Sequence, residues 1–336
     1  MKHRVLLIIT LVASGAVGQD RPRLIGEIEF FGYSGIDLNK VRAVLPFRER
    51  DDFSVETFAA NDGRGVEAIR QVTGRAPTDL MRVCCDDQGN WIVYIGLSGK
   101  TIRYDRPPRS TIRLPENIVN LYDRFMKALL EDVQKGASPE DRSKGYALSA
   151  SPALRSIQLE MRDYAVGHDA LLRNVLRAAS DDKQRMVAAQ LLGYARQSRS
   201  QVAALVRAHR DGNGAVRNNA TRALIVLAES SQRIAEEIPA EGFIEMLLSG
   251  TWTDLNKTSY LINSMTKSRN ARLLARLRNK EVLERLIEMA RWRTGHAEPA
   301  RYILGRMAGI DEGRLQHLVE TGEVETIIRE LQGKGK

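Results

Sequence analysis

Apolar and polar positions change rhythm part-way along this chain. Up to about residue 99 the apolar runs are short, and some alternate. Over 24–32, Ile28 and Phe30 interleave with glutamates, which predicts a strand. Asp37 can cap a helix that carries Val41 and Val44 and ends near Pro46. Asp62 can cap a second helix with Val66, Ile69 and Val72, stopped at Gly74. Residues 80–85 and 91–96 read as two further strands, joined by a hairpin loop over 86–90. The expected order is β-α-α-β-β.

Residues 100–150 read as a connector. Arg106-Pro107-Pro108-Arg109 and Leu114-Pro115 forbid regular helix. One amphipathic helix is expected over 117–133, with Ile118, Leu121, Phe125, Leu129 and Val133 on one stripe. Residues 136–145 look like a solvated loop. Beyond 150 the helical period takes over. Asp211-Gly-Asn-Gly is a turn, and the helix after it lines up Val216, Ala220, Ala223, Leu224 and Leu227. An upstream stretch matches it at a constant offset of 32 residues: Arg185 with Arg217, Ala188 with Ala220, Leu192 with Leu224. That predicts helical hairpins stacked on one another, an architecture that usually binds rather than transforms. Helix pairs are expected at 154–165 with 170–179 and at 182–195 with 201–209. A helix at 216–228 with a partner near Ile234 follows, then 243–248, 254–265, 281–292, 300–308 and 323–331.

In such an array Asp182, Arg185, Asp211, Val216, Ala220 and Leu224 serve the stacking. An acidic turn residue and a helix-entry arginine can bridge neighbouring repeats. A sharper expectation is that Arg217, Asn218, Asn219 and Arg222 line a concave surface and grip a ligand.

The extreme N-terminus bears on compartment. Met1-Lys2-His3-Arg4 is basic, 5–12 is apolar except for Thr10, and Ala16-Val17-Gly18 is a small-x-small site. This reads as a signal peptide over 1–18, cleaved near Gly18-Gln19, which places the mature protein in the periplasm or outside the cell. No later run is apolar enough to span a bilayer. The net charge is +9, and removing Lys2 and Arg4 leaves +7. The excess falls on 151–336, where 29 Lys and Arg face 22 Asp and Glu. No five like charges are consecutive, so arginines on solvated helix faces are the simpler reading. Anionic partners are the alternative.

The two cysteines, Cys84 and Cys85, are adjacent. Strand alternation with Met81 and Val83 points Cys85 inward and Cys84 outward, as two thiols. A vicinal disulfide and intermolecular pairing through Cys84 are the other readings. Four histidines follow the leader: His168, His209, His296 and His317. None sits in a metal-binding spacing, and His168 and His209 read as a helix start and a helix end. Gly32-Tyr-Ser-Gly35 lacks the spacing of a nucleophile elbow, and Gly96-Leu-Ser-Gly-Lys100 lacks the glycines and following helix of a phosphate loop. Trp252, Trp292, Tyr194 and Tyr260 read as core. No catalytic, cofactor or metal residues are assigned.

Ile25-x-x-Ile28-x-Phe30-x-Gly32 and Phe47-Arg-Glu-Arg-Asp-Asp-Phe-Ser54, in the β-α-α-β-β order, resemble the POTRA domain of outer-membrane assembly machinery. Arg50-Asp51-Asp52 stands where that family usually has Gly-Asp. The resemblance implies peptide strand addition to an open sheet edge within 19–99. Asp211, Val216, Arg217 and the following Ala-x-x-Ala-Leu run resemble the second helix of a HEAT repeat. Through Gly145-Tyr-Ala-Leu, Val216-Arg-Asn-Asn-Ala220 and Phe243-Ile-Glu-Met, the whole chain resembles exported bacterial HEAT-repeat proteins. That resemblance implies a fold rather than an activity. The expected organisation is a signal peptide at 1–18, a POTRA-like α+β domain at 19–99, a connector at 100–150, and an all-α HEAT or armadillo-type solenoid at 151–336. The expected function is non-catalytic protein–protein interaction, as a scaffold or adaptor in the cell envelope without cofactor. The alternatives are a lyase-like helical-repeat enzyme with a concave-face site, and polyanion or nucleic-acid binding by the basic helices. The export signal argues against nucleic acid.

Overall fold

The computed structural model describes residues 24–136 and 138–333. The leader expected at 1–18 and its cleavage junction lie outside them. β1 (Ile25–Phe31), α1 (Leu38–Val44), α2 (Val55–Thr73), β2 (Asp79–Cys84) and β3 (Trp91–Gly96) come first. α3 (Glu116–Gln134) and the short pair β4 (Glu140–Asp141) and β5 (Leu148–Ser149) follow. Next come α4 (Pro152–Ala178), α5 (Asp182–Leu192), α6 (Arg199–Ala208), α7 (Gly214–Ser230), α8 (Gln232–Glu237), α9 (Glu241–Met246) and α10 (Trp252–Met265). The last helices are α11 (Ala271–Leu277), α12 (Lys280–Ala290), α13 (Glu298–Met307), α14 (Glu312–Glu320) and α15 (Val324–Gly333). The chain is thus mostly helical, with a small three-stranded sheet near its N-terminus. No helix among the described residues is long and apolar enough to cross a membrane.

Two compact units divide the chain elsewhere than at residues 99 and 151. One comprises Ile102–Leu247 with Asn256–Leu274. The other joins the described chain up to Thr101 to Leu248–Leu255 and to everything from Ala275 onward.

In the discontinuous unit the strand order is β1-β3-β2, with β1 and β3 parallel and β2 and β3 antiparallel. Ile28, Phe30, Val93 and Ile95 pack against Val41, Leu45, Phe47, Phe58 and Ile69 in one apolar cluster. On β3, Tyr94 is fully buried and lies against Trp252 and Trp292 at ring separations of 4.7 and 5.0 Å. Its hydroxyl is 2.7 Å from both Thr294 Oγ1 and His296 Nδ1. The late helices therefore complete the core of the early sheet. α2 begins at Val55, not near Asp62, because Phe58 extends its apolar face toward Phe47 and Phe53. Asp62 sits within the helix and pairs with Arg82 at 2.8 Å. Cys84 and Cys85 are joined to each other, with Cys84 buried and Cys85 half-buried. This reverses the expected facing, because β2 ends at Cys84 and alternation stops there.

In the other unit α4 packs on α5 and α6, and α7 packs on α5, α6 and α8. The pair expected at 154–165 and 170–179 is one element, interrupted where His168 leaves helical geometry (φ −126°, ψ 22°). The His168 ring stacks on Tyr164 at 4.1 Å. The 32-residue offset is visible in three dimensions. Asp181 accepts from Gln184 N at 3.2 Å, and Asn213 accepts from Val216 N at 3.3 Å. Arg185 Nη1 donates to Ala179 O and Ser180 O at 2.8 and 3.1 Å. Arg217 Nη1 donates to Asp211 O and Gly212 O at 2.8 and 3.2 Å. Each helix thus starts on an Asp or Asn cap at the matching position, and an arginine at the matching position holds the turn before it.

Candidate functional site

The residues singled out for a ligand-gripping surface are not displayed on one. Arg217 is 5% exposed, with its guanidinium 3.8 Å above the Tyr104 ring. Asn219 is buried too, donating to Met186 O at 3.2 Å. Asn218 is half-buried and donates to the Asn219 side chain at 3.1 Å. Arg222 reaches Glu140 in a two-pronged ion pair at 2.6 and 2.8 Å. All four serve packing, because the helix-entry positions of α7 face α5 and the segments laid across them. Among the stacking residues, Arg185 and Asp211 bridge as the sequence suggests, with Arg185 also held by Asp182 at 2.6 Å. Val216, Ala220 and Leu224 are fully buried.

Glu140 was expected on a solvated loop. Instead β4 carries it inside, where its side chain is 6% exposed. It accepts from Arg142 at 3.0 Å as well as from Arg222, and Arg142 reaches Glu229 at 3.0 Å. Burial alone would raise the Glu140 carboxyl, but Arg222 and Arg142 hold it below its ordinary value. Lys257 on α10 feels the same charges. Burial, then Arg222 and Arg142, push its amine down to about 7 against the pull of Glu140. Two glutamates and two arginines already balance, so an additional ammonium has no stabilising place there. Tyr194, also buried, is pushed up by burial. Perturbed groups like these mark functional sites in some proteins and structural ion networks in others. The adjoining cavity holds only about 10 Å³, roughly one water's room.

A larger opening lies between α4 and α6 in the same unit. It is a groove of about 500 Å³, within the range of ligand sites. Ala170 and Leu176 of α4 and Ala203, Ala204 and Ala208 of α6 make its apolar surface, and Pro107-Pro108 closes one side. The proline segment is pinned at both ends. Asp105 N donates to Arg210 O at 2.7 Å, just beyond α6. Ser110 N donates to Ala178 O at 3.0 Å, and Ser180 N returns to Ser110 O at 2.8 Å.

Four arginines line this groove: Arg106, Arg173, Arg177 and Arg207. Arg173 is neutralised by Asp169 at 2.8 Å. The two lining aspartates are engaged elsewhere, Asp211 with Arg185 and Asp105 facing Arg210 at 3.7 Å. Arg177 donates only to the neutral Asn174, at 2.7 Å. Arg106, Arg177 and Arg207 are exposed and, among the described residues, have no acidic partner. Arg177 and Arg207 stand in the last turns of their helices, where a cation also suits the helix dipole. Sequence reading missed this site, although it had marked Pro107-Pro108. The three arginines lie far apart in sequence, and no periodicity links them.

Among the described residues no group of three or more His, Cys, Asp or Glu side chains is placed to hold a metal ion. No protein-family model and no curated protein sequence matches the chain.

Proposed function

We propose that this protein is a non-catalytic interaction scaffold of the cell envelope, exported by its N-terminal leader. On this reading its helices form a HEAT-type array that docks a protein partner in the groove between α4 and α6. The groove carries the proposal: an apolar alanine surface rimmed by three arginines whose charge no described acidic side chain offsets. The repeated anchoring by Arg185 and Arg217 supports the array, and Arg217 holds the Asp211–Gly212 turn that lines the groove. A photo-crosslinking residue placed at Ala203, and in a separate variant at exposed Glu131 on α3, tests this in cells. Adducts with a discrete protein at Ala203 and not at Glu131 are expected. The same adducts at both positions, or none at either, would overturn it.

A second docking mode has its own support. On β1 the backbone groups turned away from β3 are covered. Ile28 N donates to Glu49 at 3.1 Å, Ile28 O accepts from Arg42 at 2.8 Å, and Phe30 O accepts from Trp292 Nε1 at 2.9 Å. Gly32 N donates to Glu288 at 2.7 Å. A POTRA-like strand addition is thereby confined to the β2 edge. Proline at Arg82, whose backbone N–H faces away from β3, removes the donor at the middle of that edge and should weaken such pairing.

A further inference from the structure

We infer that the α4–α6 groove takes a short acidic peptide segment with carboxylates at alternate positions. The inference rests on the docking reading above and names the chemistry of what docks. Three features of the groove choose it. The rim is cationic through guanidinium groups, which bind carboxylates in bidentate fashion and lose less to dehydration than ammonium groups do. The surface between them is apolar and built of small side chains, Ala170, Ala203 and Ala204, so a backbone can come close. No aromatic side chain lines the groove, and without stacking platforms single-stranded nucleic acid loses its sequence-tolerant source of affinity.

Dimensions narrow the segment further. The stripe from Ala170 to Arg177 rises about 10 Å along α4, the length of roughly three extended residues. Arg173 and Arg177 are one turn apart, about 6 Å along the axis. Carboxylates two residues apart on an extended strand are separated by about 6.6 Å and lie on the same face. A Glu-x-Glu spacing therefore matches the interval between the two arginines of α4, with the unneutralised charge at the Arg177 end. Arg207 on α6 and Arg106 beside Pro107 add charge from the facing walls. Arg173 brings Asp169 with it, so Arg177, Arg207 and Arg106 give most of the attraction.

The test uses the purified full chain and blocked, fluorescent hexapeptides with glutamate or glutamine alternating with alanine. Fluorescence anisotropy should show the glutamate peptide binding at least 10-fold more tightly than the glutamine peptide, with affinity falling as salt rises. R177Q/R207Q, which removes both charges without placing acids at the helix ends, should weaken binding at least 10-fold with little change in the urea midpoint, since both side chains are exposed. Ala204→Leu, which fills the groove without altering charge, should weaken it as well. Equal binding of both peptides, binding unchanged by either variant, or no binding would overturn the inference. Polyphosphate or oligonucleotide binding that exceeds the glutamate peptide and survives Ala204→Leu would overturn it in favour of a general polyanion surface. In each case adducts at Ala203 in cells would still stand for docking by a partner of other chemistry, so the two failures are separable.

Discussion

Arg185 and Asp211 clasp each other through two bonds, Nε to Oδ2 at 2.7 Å and Nη2 to Oδ1 at 3.0 Å. The arginine enters α5 and the aspartate sits in the turn before α7, so the pair ties one helix start to the next. Arg185 is 1% exposed and the Asp211 side chain 9%. Breaking a buried pair costs about 3–5 kcal/mol when a charge is left unpaired, and the exposed Asp182 replaces only part of what Asp211 supplies to Arg185. Asp211→Asn should therefore lower unfolding free energy by about 3 kcal/mol in urea denaturation. Asp182 touches the same guanidinium at 2.6 Å but is 55% exposed, and Asp182→Asn should cost under about 1 kcal/mol. Equal losses in the two variants would refute the clasp.

Glu140 holds two arginines at once. Glu140→Gln should destabilise the chain by about 3–5 kcal/mol near neutral pH. Its folded carboxyl lies below the ordinary value of 4.5, so the unfolded chain binds the proton first. The stabilisation is complete above 4.5 and is lost as pH falls through the folded value. Urea midpoints of the two proteins should therefore converge in acid.

Lys257 has the opposite sign. Its amine titrates near 7 when folded against 10.5 ordinarily. Between those values the unfolded chain carries the extra proton, so native stability rises with pH across that window. Lys257→Met removes the burial cost and should add about 1–4 kcal/mol below pH 7. The advantage should shrink steadily toward pH 10.5. A gain independent of pH would show that Lys257 is not titrating there.

Two helical glycines should respond oppositely to alanine. At Gly305 a Cβ would come within 2.1 Å of Leu315 Cδ1, and Leu315 is fully buried. Overpacking of about 1–3 kcal/mol outweighs the helix gain, so Gly305→Ala should lower the thermal midpoint. At Gly63, within α2, the space a Cβ would fill is open, with nothing within 4 Å. Gly63→Ala should raise stability by about 0.5–1 kcal/mol.

The element order was legible where apolar spacing and caps agreed. Asp37 accepts from Asn39 N at 3.0 Å at the start of α1, as its position before Val41 suggests. The Arg185–Arg217 correspondence was legible because both arginines hold the turn before them. Two short helices, α11 and α14, passed unnoticed. The ligand-gripping role given to Arg217 and Asn219 came from reading polarity as exposure, whereas both side chains spend their donors inside the fold. Glu140 failed the same way, since a loop rich in Gly, Ser and Pro gives no hint that distant Arg222 will draw it inward. The groove needed the fold itself to assemble it.

Gly32 and Tyr33 bond to Glu288 across more than 250 residues of chain, and Tyr94 reaches Thr294 and His296 across about 200. A ribosome releasing this polypeptide emits the early strands long before the residues that bury them. The central helices, nearly continuous in sequence, can consolidate while those strands still wait. Contacts so remote slow folding, and the sheet's apolar face stays vulnerable until the last hundred residues arrive. Truncation near residue 275 should accordingly spare the middle of the molecule and leave its beginning sticky.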